Sequence, residues 1–361
     1  MKIAIIHDSL IEYGGAERVL DALLRMFPRA DLYTSFLTES YREKYLSHIP
    51  SHRIHTSWIQ HMHMENHTSL IQSLTPLVWG AFRLRGYDLV ISHSLHLMAP
   101  FVSVPESADH VVYLQSLPKN IFGIDPKTRL QKILPYTGVI RRMYCNTLRN
   151  TPHIIVNSRH TRRALLDHVG TDSSIIFPPV TIPDSVTVRK GKYYILVSRL
   201  DRSKSIELAV EACTRLRIPL RIIGKTNEPG YETYLRSIAG PTVSFLGELS
   251  DRAIDKQYEH AIAFLFPSKN EDFGIAPLES LAHGIPVIAY RGGGPTETII
   301  HGKTGVMFTE HGTQGMIDAI GRSARMRFRP EVLRAYAKRY GEDEFRKKFL
   351  GYIAKIRRKK R

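Results

Sequence analysis

The stretch from Ser268 to Glu297, SKNEDFGIAPLESLAHGIPVIAYRGGGPTE, limits most what this chain can fold into. An apolar run, Ala261 to Phe266, comes just before it and reads as a buried strand. Behind it lies a short glycine-containing turn, Phe273-Gly274-Ile275-Ala276-Pro277. Leu278, Leu281 and Ala282 follow at helical spacing, with Pro277 suited to a first helical turn. The spacing therefore predicts a strand, a polar loop and a helix N-terminus. Unpaired N–H groups and a partial positive charge at such a terminus suit an anion such as a phosphate. Glu271 on the loop and Glu279 near the helix start flank that anion and remain available to accept hydrogen bonds from hydroxyl groups. A ligand with a central phosphate and hydroxyls at both ends is a nucleotide sugar.

The same block resembles the signature of the family 4 glycosyltransferases, retaining enzymes of GT-B fold, in which two glutamates are separated by seven residues. Here the match is Glu271-Asp-Phe-Gly-Ile-Ala-Pro-Leu-Glu279. Ala282-His283-Gly284-Ile285-Pro286-Val287-Ile288 and Gly292-Gly293-Gly294-Pro295-Thr296-Glu297 continue it. Two glutamates at that spacing would mean little alone; the whole block is specific. The resemblance implies an α/β protein of two Rossmann-like, doubly wound domains facing across a cleft, with a C-terminal helix crossing back to the N-terminal domain. The expected divisions are 1–180 for the acceptor side, 181–340 for the nucleotide-sugar donor side, and 341–361 for the crossover helix and basic tail.

A chain of 361 residues, 43% apolar and 24% charged, is an ordinary globular composition and long for a single core. Cys145 and Cys213 lie far apart without metal-type spacing, so free thiols in a reducing compartment are expected. The N-terminal apolar run is too short for a signal peptide, and no apolar segment approaches the ~20 residues that span a bilayer. These readings place the protein in the cytoplasm. The net charge of +17 fits nucleic acid, an anionic membrane surface or an anionic substrate. Neither zinc-finger spacing nor an aromatic-basic RNA signature accompanies it, which disfavours nucleic acid. The densest basic cluster, Arg357-Arg358-Lys359-Lys360-Arg361, offers a peripheral contact to anionic lipid at the inner face of the membrane or a solvated tail.

Along the N-terminal half, Ile3 to Ile6 reads as a strand and Arg18 to Met26 as a helix, joined by Tyr13-Gly14-Gly15-Ala16-Glu17. A glycine pair at a strand-to-helix turn lets a ligand approach the backbone, but on its own it is more often an ordinary turn. By resemblance, Gly14 and Gly15 face the donor diphosphate. His52, His55, His61, His63 and His67 invite a metal reading, which the lone carboxylate Glu65 and the missing cysteines do not support; an acceptor-side loop is the preferred reading. Asp88 to Ser92 and Val111 to Leu114 read as buried strands with polar ends. In the segment His110 to Lys119 the family usually carries His-Ser-Pro or His-Thr-Pro, and the histidine contacts the transferred sugar. This chain has Gln115 there, with Ser116 next and the proline displaced to Pro118. Either the amide of Gln115 replaces the imidazole, or His93 or His96 fills the role; loss of activity is a third reading, against which the intact donor motif stands. Ile154 to Arg159 resembles the family's Asn-Ser strand end. The prolines after Ile175 predict a linker reaching about Lys190.

In the C-terminal half, Tyr193 to Val197 predicts a strand leading into Arg199-Leu200-Asp201-Arg202-Ser203-Lys204. An arginine and a lysine on such a loop can converge on one diphosphate, the arginine as a fork and the lysine as a point charge. That spacing is commonplace, and the resemblance to the family's Arg-Leu…Lys motif is what raises it. By the same resemblance the loops at Lys225 and Glu248-Leu249 border the nucleotide base. Phe345, Phe349, Tyr352, Ile353 and Ile356 mark one face of a C-terminal amphipathic helix.

Taken together, the resemblance implies hexose transfer, mannose being the preferred sugar and GDP-mannose the donor, to a saccharide or lipid-linked saccharide. The opening Tyr-Gly-Gly-Ala-Glu and the His-x-x-Tyr segment look most like bacterial mannosyltransferases of surface-polysaccharide assembly. Its catalytic set is Glu271, Arg199, Lys204 and Gln115. Its donor contacts are Gly14, Gly15, Arg199, Lys204, Glu271, Phe273, Gly274, Ile275, Ala276 and Glu279, with Glu271 holding sugar hydroxyls and Glu279 the ribose. No metal and no cofactor beyond the donor are expected. Three rivals stand beside it. A glycosidase acid/base pair needs no phosphate cradle between its carboxylates. A sugar-nucleotide epimerase of GT-B architecture is disfavoured by the Glu-x7-Glu block, and a non-catalytic binding protein is supported by the basic charge and by Gln115.

Overall fold

The computed structural model describes residues 1–62, 68–124, 136–226, 228 and 230–359. The chain divides into two compact units, residues 1–177 with 346–361, and residues 178–345.

The first unit is built on a parallel sheet of β1 (Ile3–His7), β2 (Asp31–Thr34), β3 (Ile54–Thr56), β4 (Leu89–Ser94), β5 (Asp109–Leu114), β6 (His153–Val156) and β7 (Ser174–Ile175). Their order is β3-β2-β1-β4-β5-β6-β7. All five residues of β1 and all six of β4 are buried. The apolar starts of both strands, Ile3 to Ile6 and Leu89 to Ile91, are what a parallel sheet covered on both faces needs, and the polar residues that follow are buried at the strand ends. The chain winds outward from β1 to β3 and then returns to β1's other side at β4. The direction of winding therefore reverses between β1 and β4, and His7 lies in register with His93 there. Phe349, Ile353 and Ile356 of the Glu342–Lys359 helix are buried, with the Phe349 ring 6.4 Å from those of Phe27 and Tyr113. The apolar stripe that its periodicity predicts thus serves the first unit's core, as the resemblance implies.

In the second unit β8 (Tyr193–Val197), β9 (Leu220–Ile223), β10 (Val243–Phe245), β11 (Ala261–Phe266), β12 (Val287–Tyr290) and β13 (Gly305–Phe308) form a second sheet, with order β10-β9-β8-β11-β12-β13. All its ladders are parallel, and its reversal falls between β8 and β11. The proline-containing segment from Pro178 has no regular helix or strand, as expected, yet it is fastened to this unit. Val180 N–H donates to the Tyr340 carbonyl at 2.8 Å and Arg189 N–H to the Glu259 carbonyl at 2.8 Å.

Cys145 and Cys213 are free, buried thiols in different units. Burial pushes the Cys213 thiol up to about 12. No helix among the described residues is long and apolar enough to cross a membrane. The described residues contain no cluster of His, Cys, Asp or Glu that could hold a metal ion. His63, Glu65 and His67 of the histidine segment, and Lys360 and Arg361 of the basic tail, lie outside the described residues.

Candidate functional site

In open α/β sheets, ligands bind beyond the carboxyl ends of the strands, where the winding reverses. Both units place chemistry-bearing residues at that point.

In the second unit β8 runs into the loop carrying Arg199 and Lys204, and β11 into the loop carrying Glu271. Because β8 and β11 are neighbours, the two loops meet. Lys204 Nζ lies 2.8 Å from Glu271 Oε2, and the two side chains are 21% and 19% exposed. Burial pushes the Lys204 ammonium down, but the charge of Glu271 and its hydrogen bond overcome this and raise it. Ser268 Oγ donates to the Ser203 carbonyl at 3.3 Å, a second tie between these loops. Arg199 differs: its side chain is 66% exposed, and its guanidinium lies 3.9 Å from Asp201. Both cations face a carboxylate, but the Lys204 pair is close and mostly enclosed whereas Arg199 lies mostly in solvent.

Glycines shape the Glu271 loop. Gly293 has φ +60°, and a Cβ there would lie 2.2 Å from the Glu271 carbonyl oxygen. Only a residue without a side chain lets the Gly292-Gly293-Gly294 turn back the loop this closely. Gly294 N–H then donates to that same carbonyl at 2.8 Å. Gly274, at φ +86°, turns the chain into the Ile275–Ala282 helix as its N-cap, so Ile275 and Ala276 supply the first-turn amides. Phe273 is buried, its ring 6.2 Å from that of Tyr340, so it anchors the loop from behind. Glu279 sits one turn into the helix, part-buried. His283 closes the other end, its Nδ1 2.8 Å from the Glu279 carbonyl and its Nε2 2.9 Å from Asp255. Lys225 and Glu248, expected beside the nucleotide base, are 3.8 Å apart across neighbouring strand ends.

At the first unit's reversal the groups are different in kind. Asp8 follows β1 and is 2% exposed. Its Oδ2 accepts the N–H groups of Leu95, His96 and Leu97 at 2.7–2.8 Å, and its Oδ1 accepts Ala99 N–H at 3.0 Å and Ser94 Oγ at 3.1 Å. One carboxylate thus pins the whole segment after β4. His7 Nδ1 and His93 Nδ1 are 2.9 Å apart. His93 Nε2 lies 2.9 Å from Gln115 Nε2, and Asn157 Nδ2 donates to Gln115 Oε1 at 3.0 Å. Complete burial and then the neighbouring His7 hold His93 well below the usual imidazole range.

The Gly15–Met26 helix starts at Gly14, whose N–H donates to Glu17 Oε2 at 2.9 Å. Glu17 Oε1 lies 3.3 Å from His7 Nε2. Gly14 has extended backbone at φ −150°, so it acts here as a cap and not through a left-handed turn. Gln115, expected to meet the sugar, is buried with both ends of its amide engaged by His93 and Asn157. Within the second unit the structure therefore brings Arg199, Lys204, Glu271, Phe273, Gly274, Ile275 and Ala276 onto adjoining loops. Within the first unit it brings Gly14, Gly15 and Gln115 to the same strand ends. Asp8, His7, Glu17 and Asn157 receive no role from the sequence: Glu17 stands only within the Tyr13-Gly14-Gly15-Ala16-Glu17 segment, Asn157 within the Asn-Ser strand end, and His7 and Asp8 only as polar residues closing β1.

Comparison with known proteins accords with this arrangement. The family described as Glycosyltransferase Family 4 matches residues 13–182, and the one described as Glycosyl transferases group 1 matches residues 181–340. The human alpha-1,3/1,6-mannosyltransferase ALG2 is 31% identical over 191 residues, covering 43% of this chain and 45% of that protein. The Schizosaccharomyces pombe alpha-1,3/1,6-mannosyltransferase alg2 is 23% identical over 368 residues, covering 84% of this chain and 70% of that protein. With the Dictyostelium discoideum protein matched over 47% of its length, the chain spans about half the length of several curated relatives it matches. Among solved structures, Anabaena Alr3699/HepE in complex with UDP and glucose has a TM-score of 0.75 at 17% identity, covering 98% of this chain and 99% of that one. Sucrose-phosphate synthase from Thermosynechococcus elongatus has a TM-score of 0.72 at 17% identity, covering 98% of each chain. Two parallel Rossmann-like sheets, the glutamate block on the β11 loop and two adjoining family matches lead to one assignment: the chain belongs to glycosyltransferase family 4 and has the GT-B fold.

Proposed function

We propose that the protein transfers a hexose, mannose in our reading, from a nucleoside-diphosphate sugar to a hydroxyl of a saccharide or lipid-linked saccharide, with retention at the anomeric carbon. The observation that carries this reading is the Lys204–Glu271 pair at the β8/β11 reversal, beside the exposed Arg199. A departing nucleoside diphosphate needs positioned positive charge, and these two cations supply it on one loop. An arriving diphosphate competes with Glu271 for Lys204. Releasing that carboxylate frees it for the hydroxyls of the sugar, so donor binding and sugar orientation are one exchange of partners. The first-turn amides of Ile275 and Ala276 add donors for phosphate oxygens. Glu279 takes the ribose hydroxyls. The diphosphate oxygen itself takes the acceptor proton on the face from which it leaves, so no protein nucleophile is required. The relatives named as mannosyltransferases support mannose, and GDP-mannose is the donor we assign.

The acceptor partner brings in the surface of the first unit. Leu70 and Leu77 on the Thr68–Gly80 helix are exposed, as are Val139 and Met143 on the Tyr136–Arg149 helix beside it. Exposed Arg141 and Arg142 stand among the latter. Apolar side chains with interleaved arginines suit the headgroup boundary of an anionic membrane, and we assign the protein a peripheral, cytoplasmic-face location on that basis.

The deciding experiment incubates purified protein with GDP-mannose, UDP-glucose and UDP-galactose and follows nucleoside diphosphate release. Release from GDP-mannose is expected. Release from another donor alone would replace the sugar assignment. If no donor is bound or turned over while anionic vesicles are bound, the protein is a binding module.

A further inference from the structure

Six buried or part-buried side chains at the first unit's reversal form one hydrogen-bonded row: Thr161, Asn157, Gln115, His93, His7 and Glu17. Its proton order follows from a single fixed group. The Gln115 backbone carbonyl can only accept, and Asn157 Nδ2 lies 2.8 Å from it, so Asn157 turns its amide NH2 that way. Asn157 Oδ1 correspondingly accepts Thr161 Oγ1 at 2.6 Å. The same NH2 donates to Gln115 Oε1 at 3.0 Å, which leaves Gln115 Nε2, a donor only, facing His93 Nε2 at 2.9 Å. His93 Nε2 must then be the unprotonated nitrogen, and its proton sits on Nδ1. That Nδ1–H donates to His7 Nδ1, 2.9 Å away, so the His7 proton sits on Nε2 and points at Glu17 Oε1. Every contact has one donor and one acceptor, and neither ring has a nitrogen left for a second proton.

We propose that Gln115 is a positioning residue: its amide locks the His93–His7 pair in one tautomeric order and thereby holds the Glu17 carboxylate at the start of the Gly15–Met26 helix as a fixed acceptor for a ligand hydroxyl. An amide does not exchange protons as an imidazole does, so the row orients and does not conduct. Glu17 is its open end, 14% exposed, with Oε2 held by Gly14 N–H. The groups facing the two rings are Glu17 from the helix, Gln115 beyond β5 and the Tyr113 ring on β5, 5.6 Å from His93. His93 held below its usual range agrees with a ring that stays neutral.

The assignment of a ligand hydroxyl rests on the glycosyltransferase reading; the tautomers do not. Selective 15N-histidine labelling of the full chain reads them directly, with His7→Gln and His93→Gln spectra for assignment. In the wild type we expect His93 protonated on Nδ1 and His7 on Nε2. Gln115→Glu is nearly isosteric and still accepts from Asn157, but it presents an acceptor to His93 and should move the His93 proton to Nε2. Turnover should then fall roughly three- to tenfold while the donor KM stays within about twofold. Gln115→His can accept from Asn157 and donate to His93, and should restore both the tautomers and turnover. Wild-type His93 carrying its proton on Nε2 would overturn the proposal, whether or not any variant folds. So would a folded Gln115→Glu protein with unchanged tautomers and unchanged turnover. Tautomers as assigned in a protein that transfers no sugar would instead overturn the enzymatic reading and leave the lock standing.

Discussion

The two units meet the same topological problem with opposite chemistry. Between β1 and β4 the side chains that converge are buried and hydrogen-bonded, a neutral row ending on Glu17 beside the fully engaged Asp8 carboxylate; between β8 and β11 they are an ion pair about one-fifth exposed, with the mostly exposed Arg199 beside it, 3.9 Å from Asp201. A fully satisfied buried network is rigid, because breaking any link strands a polar group away from water. A partly solvated ion pair has modest net strength and can exchange one partner for a better one. The first arrangement suits holding an orientation, and the second suits taking up and releasing a charged ligand.

The comparison can be broken at several points. Lys204→Ala should cost the most, lowering turnover about 10²- to 10³-fold, the usual loss when a donor to developing negative charge is removed. Steady-state kinetics with the active donor check this, and a loss below tenfold would argue that Arg199 alone handles the diphosphate. Asp8→Asn should destabilise the first unit by about 3 kcal/mol, since a buried carboxylate serving five donors is replaced by an amide with one acceptor oxygen. Hydrogen exchange resolved by residue should show lost protection at Leu95–Ala99 and β1, with β8 and β11 unchanged. The two glutamates of the second unit should separate: Glu279→Ala weakens donor binding by roughly tenfold, whereas Glu271→Ala mainly lowers kcat. Wild-type kinetics in both would remove them from the site.

Acid should distinguish the units by a smaller amount. His93 is held well below the usual imidazole range by burial and then His7, and His110 at about 4 by burial and then His153. Their unfolded forms take up protons near pH 6.5, so stability present above that pH is lost as the pH falls through the window below it, at up to about 1.4 kcal/mol per pH unit for each proton. Lys204 has the opposite sense. Its raised pKa gives stability that is complete below ~10.4 and is lost only as the pH rises through the folded value. Between pH 7 and pH 5 the first unit should lose exchange protection and the Lys204–Glu271 region should not. Equal losses would mean that His93 and His110 are not held neutral.

The second unit was far more legible in the sequence than the first. Arg199, Lys204 and Glu271 stand at the ends of strands that apolar runs mark plainly, inside a block whose spacing is specific. Tyr193–Val197 and Ala261–Phe266 are strands with the very bounds their apolar runs predict. What local pattern could not give is which strands are neighbours. His7 meets His93, and Asp8 meets Leu95 to Ala99, across more than eighty residues, because β4 lies beside β1. Gln115 shows the same limit. Its place in a family-like segment points to the sugar, while its burial between His93 and Asn157 depends on β5 and β6 being paired.

The most direct test of the account is calorimetric titration of GDP into the wild-type protein and into Arg199→Ala. The account predicts one site per chain in the wild type, with affinity lowered at least about tenfold in the variant by loss of a charge-assisted contact. No GDP binding to the wild type, or equal affinity in the two proteins, would contradict it.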